Sequence, residues 1–232
     1  MSTFITIQGA AAPLRLDNID TDVIVRIERL AALSKEQLGP FALEALRFRP
    51  DGSEDPACVL NQPAFRGASI LLAGANFGCG SSREAAVWAL MGIGIRCVIA
   101  PSFGDIFFGN CFQNGMLPIR LTHAEIGILA QASRDGAPLE VDLHTCTIKA
   151  RYGTLIRFTV DEHRREALLS GLDDIDLTLS KEDSIRAWQQ RDRNRRPWVW
   201  SLPSPAEARA AVAPITLAGC TARSQAGLAS NP

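Results

Sequence analysis

The sequence has almost no net charge: 24 Lys and Arg stand against 25 Asp and Glu, leaving −1 over 232 residues. No global basic field is available to draw in nucleic acid or an anionic membrane, so neither is expected as a partner. Long apolar runs are also missing, and none reaches the ~18 residues that a membrane-spanning helix needs. The opening MSTFITIQGA has neither a charged leader nor a continuous apolar stretch. A secretory signal is therefore not expected, and the cytoplasm is the expected compartment. The six cysteines, Cys58, Cys79, Cys97, Cys111, Cys146 and Cys220, contain no CxxC pair and match no zinc or ferredoxin spacing. That pattern argues against a metal centre built by this chain alone and favours reduced, partly buried thiols. His123, His144 and His163 fall on separate segments without metal or triad spacing. No internal repeat is present.

What is there is core material. With 47% hydrophobic and 21% charged residues, the chain can bury one domain of substantial size with an appendage. TFITIQG and PLRL read as short strands leading into the polar loop DNIDTD. Ser34 and Gln37 fit a capping box that Gly39 and Pro40 cut short, and a second helical start follows at Pro40 and runs to Phe48. Residues 51–67 are rich in Pro, Gly and Asp and read as a long surface connection. ASILLAG, RCVIAPS and MLPIRL are short apolar runs typical of buried strands, separated by helical segments at REAAVWALMGIG and GDIFFGNCFQNG. This alternation predicts an α/β fold with a mainly parallel central sheet and flanking helices. A helix at THAEIGILAQAS, strands at PLEVDL, CTIKA and TLIRFTV, and helices at DEHRREALLSGL and KEDSIRAWQQ follow. From Arg191 the composition shifts to Ala, Pro and Ser without a period, so residues 1–190 are expected as the domain and 191–232 as an extension, largely disordered.

The chemistry concentrates in GANFGCGSSRE, residues 74–84, between a buried strand and a helix. Glycines allow a sharp turn and close approach to a ligand, and free N–H groups at a helix start favour an anion. Ser81 and Ser82 add hydroxyls, and Arg83 offers a planar fork suited to a carboxylate. The competing reading is purely structural: Ser81 followed by Glu84 is a capping box. A nucleotide site is disfavoured, because Gly74, Gly78 and Gly80 give GxxxGxG rather than GxGxxG and no Walker lysine follows. Asn18, Asp20, Thr21 and Asp22 form a second polar cluster that, taken alone, reads as an Asx-type turn. Asp105 and Asn110 follow the second strand, where an open α/β sheet places ligands, and capping explains them equally well.

The run GANFGCGSSREAAVWALMGIGIRCVIAPSFGDIFFGNCFQNGMLPIRL resembles the core of the 3-isopropylmalate dehydratase small subunits, the swivelling β/β/α domain of the aconitase superfamily. DNIDTDVI and GLDDIDLTLSKEDSIRAW extend the resemblance over roughly the first 190 residues. It implies a hydro-lyase half that interconverts 2- and 3-isopropylmalate in leucine biosynthesis by removing and restoring water. It implies that Ser81 takes the proton from carbon, that Ser82, Arg83 and Gly80 hold substrate, and that the loop with Asp20 and Thr21 faces the active-site mouth. It also implies that no cofactor or metal is bound by this chain, and that a four-iron four-sulfur cluster sits on a large partner subunit. A serine is a weak base unless its oxyanion is stabilised, which the helix start, backbone amides and arginine would do.

The sequence departs from the family pattern in two places. Val25, Arg26, Ile27, Glu28 and Arg29 replace a segment that usually reads IIP followed by a basic or polar residue and an aromatic, and Ala85 stands where histidine normally follows GSSRE. The alternatives these departures raise are a paralogue that hydrates methylated maleate or malate-type diacids, and a noncatalytic stabilising subunit.

Overall fold

β-Branched and aliphatic runs flanked by turn residues become strands here, and the residues between them become helices of one to three turns. The computed structural model describes residues 3–201, and the chain divides into two compact units, residues 1–180 and 181–232. In the first unit β1 (Thr6–Pro13) leads through α1 (Thr21–Ile24), α2 (Ile27–Ala32) and α3 (Glu44–Arg47) to β2 (Ile70–Leu72). Then come α4 (Ala85–Gly92), β3 (Cys97–Ala100), α5 (Asp105–Gln113), β4 (Leu117–Arg120) and α6 (His123–Ala132). The unit closes with β5 (Pro138–Asp142), β6 (Thr147–Lys149), β7 (Leu155–Arg157), α7 (Glu162–Ser170) and α8 (Asp174–Leu179).

The strands form one seven-stranded sheet in the order β4-β3-β2-β1-β5-β6-β7. From β4 to β1 all pairings are parallel, with Ala11 opposite Ile70 and Leu71 opposite Val98. From β1 to β7 all are antiparallel, with Thr6 opposite Asp142. The expected parallel array is thus one half of a mixed sheet. β1 is the hinge between the halves because its two edges pair with neighbours of opposite direction.

Side-chain alternation along the strands builds two cores. Ala12, Leu71, Val98 and Ala100 face one, with Ala86, Ala89 and Leu90 of α4 and Phe107 of α5. Ala11, Ile70, Leu72, Cys97 and Ile99 face the other, with Ile126 and Leu129 of α6 and Leu168 of α7. α4 is covered on most of its circumference, which is why it is nearly all apolar.

Several local expectations shift. TFITIQG and PLRL are not two strands: β1 runs through the small residues Gly9 to Ala12, and Leu14 to Leu16 lie beyond it. The Ser34 backbone N–H donates to the Gln37 side chain (3.0 Å) as the capping box requires, closing a single 3-10 turn. The helix expected from Pro40 to Phe48 is broken at Leu43, which takes a left-handed conformation (φ 53) so that its N–H can reach the Ile24 carbonyl (2.8 Å). Residues 51–67 are not wholly a surface connection, since Cys58, Leu60 and Phe65 are buried.

In the second unit, residues 181–201 are described. The boundary expected at residue 190 falls inside one helix, α9 (Glu182–Arg195), which is followed by a turn, α10 (Pro197–Trp200). Asp192 ties the two: its carboxylate accepts from Trp200 Nε1 (3.0 Å) and Arg196 Nε (2.8 Å). The remainder of the extension, with Cys220, lies outside the described residues.

Candidate active site

Because β1, β2 and β3 are adjacent and parallel, the loops leaving their C-terminal ends emerge on the same side of the sheet, where open α/β folds hold their ligands. The loop after β1 carries Asp17 to Asp22, the loop after β2 carries residues 74–84, and the loop after β3 carries Ser102 to Gly104. Backbone pairing joins all three. Gly78 N–H donates to the Ile19 carbonyl (2.7 Å), Thr21 N–H to Cys79 (3.0 Å), and Asn18 N–H to Ala75 (2.8 Å). On the other flank Phe77 N–H reaches Ser102 (3.1 Å) and Gly104 N–H reaches Phe77 (2.9 Å). Asp17 and Ser102 contribute side chains: Asp17 Oδ1 accepts from Ala75 N–H (2.6 Å) and Ser102 Oγ from Asn76 N–H (2.8 Å).

Glycine is required where these loops meet. Gly78 (φ 70) lies against the Phe107 ring, and Gly80 (φ 87) would bring a Cβ to 3.3 Å from Asp20 Cβ.

The two sequence clusters come together. Asp20 Oδ1 accepts from Val23 N–H (2.7 Å) and caps α1. Thr21 is buried (1% exposed), and its hydroxyl donates to the Ser81 carbonyl (3.0 Å). Asp22 pairs with Arg83, whose side chain is only 14% exposed against 53% for Asp22. Ser81, Ser82 and Gly80 face solvent. Asp20 thus caps its own turn, as the Asx-turn reading expects, while Thr21 and Asp22 support the other loop.

The capping-box reading of Ser81 does not hold. α4 starts at Ala85, so Glu84 sits at the N-cap instead of three residues inside, and it makes no side-chain cap. Its carboxylate accepts instead from Asn114 Nδ2 (2.7 Å). Among the described residues neither the Ser81 and Ser82 hydroxyls nor the N–H groups of residues 81–83 have a hydrogen-bond partner. The turn thus presents hydroxyls and amide donors beside a half-buried guanidinium, an arrangement suited to an anion.

Cys79 lies in the loop, partly exposed, whereas Cys97 and Cys111 are buried and their thiols are pushed well above the ordinary range by desolvation. Among the described residues no three His, Cys, Asp or Glu side chains converge as a metal site. Ala85 is 8% exposed and packs into the core. Arg26 and Arg29 converge on Glu44 at 3.3 and 2.9 Å, and Arg29 also lies 4.0 Å from the Phe41 ring centre. Asp105 is fully exposed in the first turn of α5, and Asn110 contributes its carbonyl to the end of that helix.

The Aconitase C-terminal domain model matches residues 1–124, and the C-terminal domain model of the 3-isopropylmalate dehydratase small subunit matches residues 174–199. The 3-isopropylmalate dehydratase small subunit of Rhodopseudomonas palustris (strain TIE-1) is 47% identical over 201 residues, covering 86% of this chain and all of the relative. This chain belongs to the 3-isopropylmalate dehydratase small-subunit family. The small subunit from Jannaschia sp. (strain CCS1) is 49% identical over the same coverage. A crystal structure of 3-isopropylmalate dehydratase from Methanocaldococcus jannaschii superposes with a TM-score of 0.58 at 27% identity, over 80% of this chain and 99% of that one. Membership of this family makes the chain the small-subunit half of a hydro-lyase. Among the described residues no helix is long and apolar enough to cross a membrane.

Two supporting residues, Asp17 and Asn114, lay outside the expected site. Asp17 is adjacent to the polar cluster and was within reach of a sequence argument. Asn114 precedes Gly115 and carries only the signal of a helix end.

Proposed function

We propose that this chain, joined to a large subunit, interconverts 2- and 3-isopropylmalate in leucine biosynthesis, with Ser81 as the group that exchanges a proton with carbon. The carrying observation is the turn at residues 81–83. Its hydroxyls and N–H groups bond nothing among the described residues, helix capping does not use Ser81, and the Arg83 guanidinium lies against Asp22. The four-iron four-sulfur cluster is assigned to the large subunit, a reading that the chain's membership of the small-subunit family supports. Bound there, the cluster would supply the Lewis acidity that a departing hydroxyl requires.

The residues of this chain do the rest. One substrate carboxylate lies on the Arg83 fork, with Ser82 Oγ and the turn amides as further donors. Ser81 in its alkoxide form takes the C–H proton and becomes neutral while hydroxide leaves; in the reverse sense it returns that proton to carbon as hydroxide adds. The N–H groups around it and the arginine charge stabilise the alkoxide. Gly80 keeps the approach free of a side chain. Asp20 and Thr21 hold the loop at the mouth of the site, where the substrate enters. The cytoplasm is the compartment in which this pathway operates.

A hydratase of methylated maleate or malate-type diacids is the second reading. The replaced segment favours it, because Arg26 and Arg29 turn toward Glu44 where the family carries a different pattern, and Ala85 removes a polar group beside Arg83.

Anaerobic reconstitution with the large subunit tests both readings. The expected result is isopropylmalate isomerisation that exceeds hydration of methylated maleates, and the reverse ranking would establish the paralogue. Ser81→Ala should lower turnover by about 10²–10⁴-fold with unchanged melting temperature. Near-normal turnover in that variant would remove Ser81 from the chemistry, and no turnover from the native pair on either diacid class would favour a noncatalytic subunit.

A further inference from the structure

Asn114 stands at the C-terminal end of α5, thirty residues beyond Glu84. Its backbone N–H bonds the carbonyls of Asn110 and Cys111 (both 3.2 Å), and Gly115 turns the chain immediately after it (φ 80). The side chain therefore projects from a fixed point. Its amide oxygen accepts from Trp88 Nε1 (2.8 Å), and its amide nitrogen donates to Glu84 Oε1 (2.7 Å) and to the Asn110 carbonyl (2.9 Å). An indole N–H only donates and a carboxylate only accepts, so the amide can stand only this way round. Glu84 and Trp88 are one helical turn apart, which lets a single carboxamide grip the start of α4 at two points. The Trp88 ring is itself fixed, with Lys35 Nζ 4.7 Å from its centre.

We propose that Asn114 is a positioning residue that holds Glu84, and through it the turn carrying Ser81, for the dehydration reaction. Besides the bonds that the Arg83 and Glu84 carbonyls accept from the first N–H groups of α4, side chains hold the turn at both ends. On one side Thr21 holds the Ser81 carbonyl and Asp22 holds Arg83; on the other Asn114 holds Glu84. Between these anchors the amides of residues 81–83 bind nothing among the described residues. Loss of Asn114 removes the side-chain hold on Glu84 and leaves the helix end of the turn to the α4 backbone bonds alone. Arg83 keeps Asp22, whereas Ser81 keeps only a bond to its carbonyl, so its hydroxyl is the group that drifts. The catalytic consequence rests on the roles proposed above for Ser81 and Arg83; the mechanical one does not.

The test is a charge exchange. Asn114→Asp keeps an acceptor for Trp88 but sets a carboxylate against Glu84, and adding Glu84→Gln places an amide donor opposite it. In the reconstituted enzyme, N114D should lower kcat on the order of 10²-fold, the usual cost of a small misplacement of a reacting group, while KM changes less than about three-fold. The double variant should recover about ten-fold of that loss. In the full chain without substrate, hydrogen exchange at residues 86–88, whose N–H groups bond the Arg83 and Glu84 carbonyls, should rise in N114D and fall back in the double variant. Asn114→Ser, which drops the side-chain bonds without adding charge, gives the same readouts should the aspartate prevent folding. Unchanged exchange at 86–88 in the single variants, or a double variant as slow as N114D, overturns the proposal. Exchange that responds as stated in a native pair with no isopropylmalate activity leaves the positioning role standing and removes the functional reading.

Discussion

A guanidinium and an ammonium carry the same charge, so Arg83→Lys separates geometry from charge at the carboxylate clamp. The Arg83 side chain is largely enclosed while Asp22 is open to solvent. A lysine there would still meet Asp22, as a point charge, and have no second prong for the substrate. KM for the diacid should rise on the order of ten-fold and kcat fall with it through misalignment, while melting temperature stays level, because a pair with an exposed partner adds little stability. Steady-state kinetics beside a melting curve checks this; an unchanged KM would remove Arg83 from the clamp. At this scale the sequence was most informative where the chemistry is contiguous. Gly80, Ser81, Ser82 and Arg83 are neighbours in one motif, and their types alone point to an anion. The partners that position them were less legible: Asp22 meets Arg83 across 61 residues and Asn114 meets Glu84 across 30. The Ser81 and Glu84 spacing fitted a cap, but the three-residue offset has no bearing on a helix that begins only at Ala85.

At the level of elements, the packing of the β2 loop on α5 is the joint that fixes the turn in place. Gly78 has φ 70, and its α-carbon lies against the Phe107 ring, which is 2% exposed and packs edge-on to Phe77 with centroids 5.4 Å apart. A methyl group at residue 78 would collide with that ring and also adopt a left-handed conformation that alanine resists. Gly78→Ala should cost about 2–4 kcal/mol from both effects, read as a lower urea midpoint with an unchanged slope. A loss below about 0.5 kcal/mol would show that Phe107 moves aside freely. The strands and helices around this joint were readable because apolar runs of four to seven residues alternate with helical spacing. The break at Leu43 was not, since it answers to a hydrogen bond with Ile24 in a separate helix. α8 was also missed: Asp173 caps it through Asp176 N–H (2.8 Å), and DDIDL shows no apolar stripe. The antiparallel half of the sheet follows from β1 lying beside β5, and strand order between distant segments leaves no local trace.

For the molecule as a whole, the question is how much of the chain the fold needs. Every buried apolar side chain among the described residues lies between Phe4 and Leu177. Beyond that point the one buried polar group among the described residues is Asp192, whose carboxyl is held below its ordinary range chiefly by the Trp200 indole N–H and then by Arg196. Composition alone placed a boundary near residue 190, where Ala, Pro and Ser begin to dominate, but it could not register that Trp198 and Trp200 lie in a turn that returns to α9. Two truncations separate these views. Ending the chain after Ser201 keeps every described residue of both cores and of the Asp192 contacts, so the melting temperature should stay within about 2 °C of the full chain. Ending it after Arg196 takes away Trp200, and with it a donor to Asp192 and the ring that Arg193 covers at 4.7 Å. Circular dichroism should then show lost helix from residues 182–195, since an exposed helix of this length is marginal without a tertiary anchor. Equal helix content in the two truncated chains would show that α9 stands without α10. A large drop in melting temperature for the chain ending at Ser201 would show that residues 202–232 contribute to stability in a way the buried positions of the first unit do not reveal.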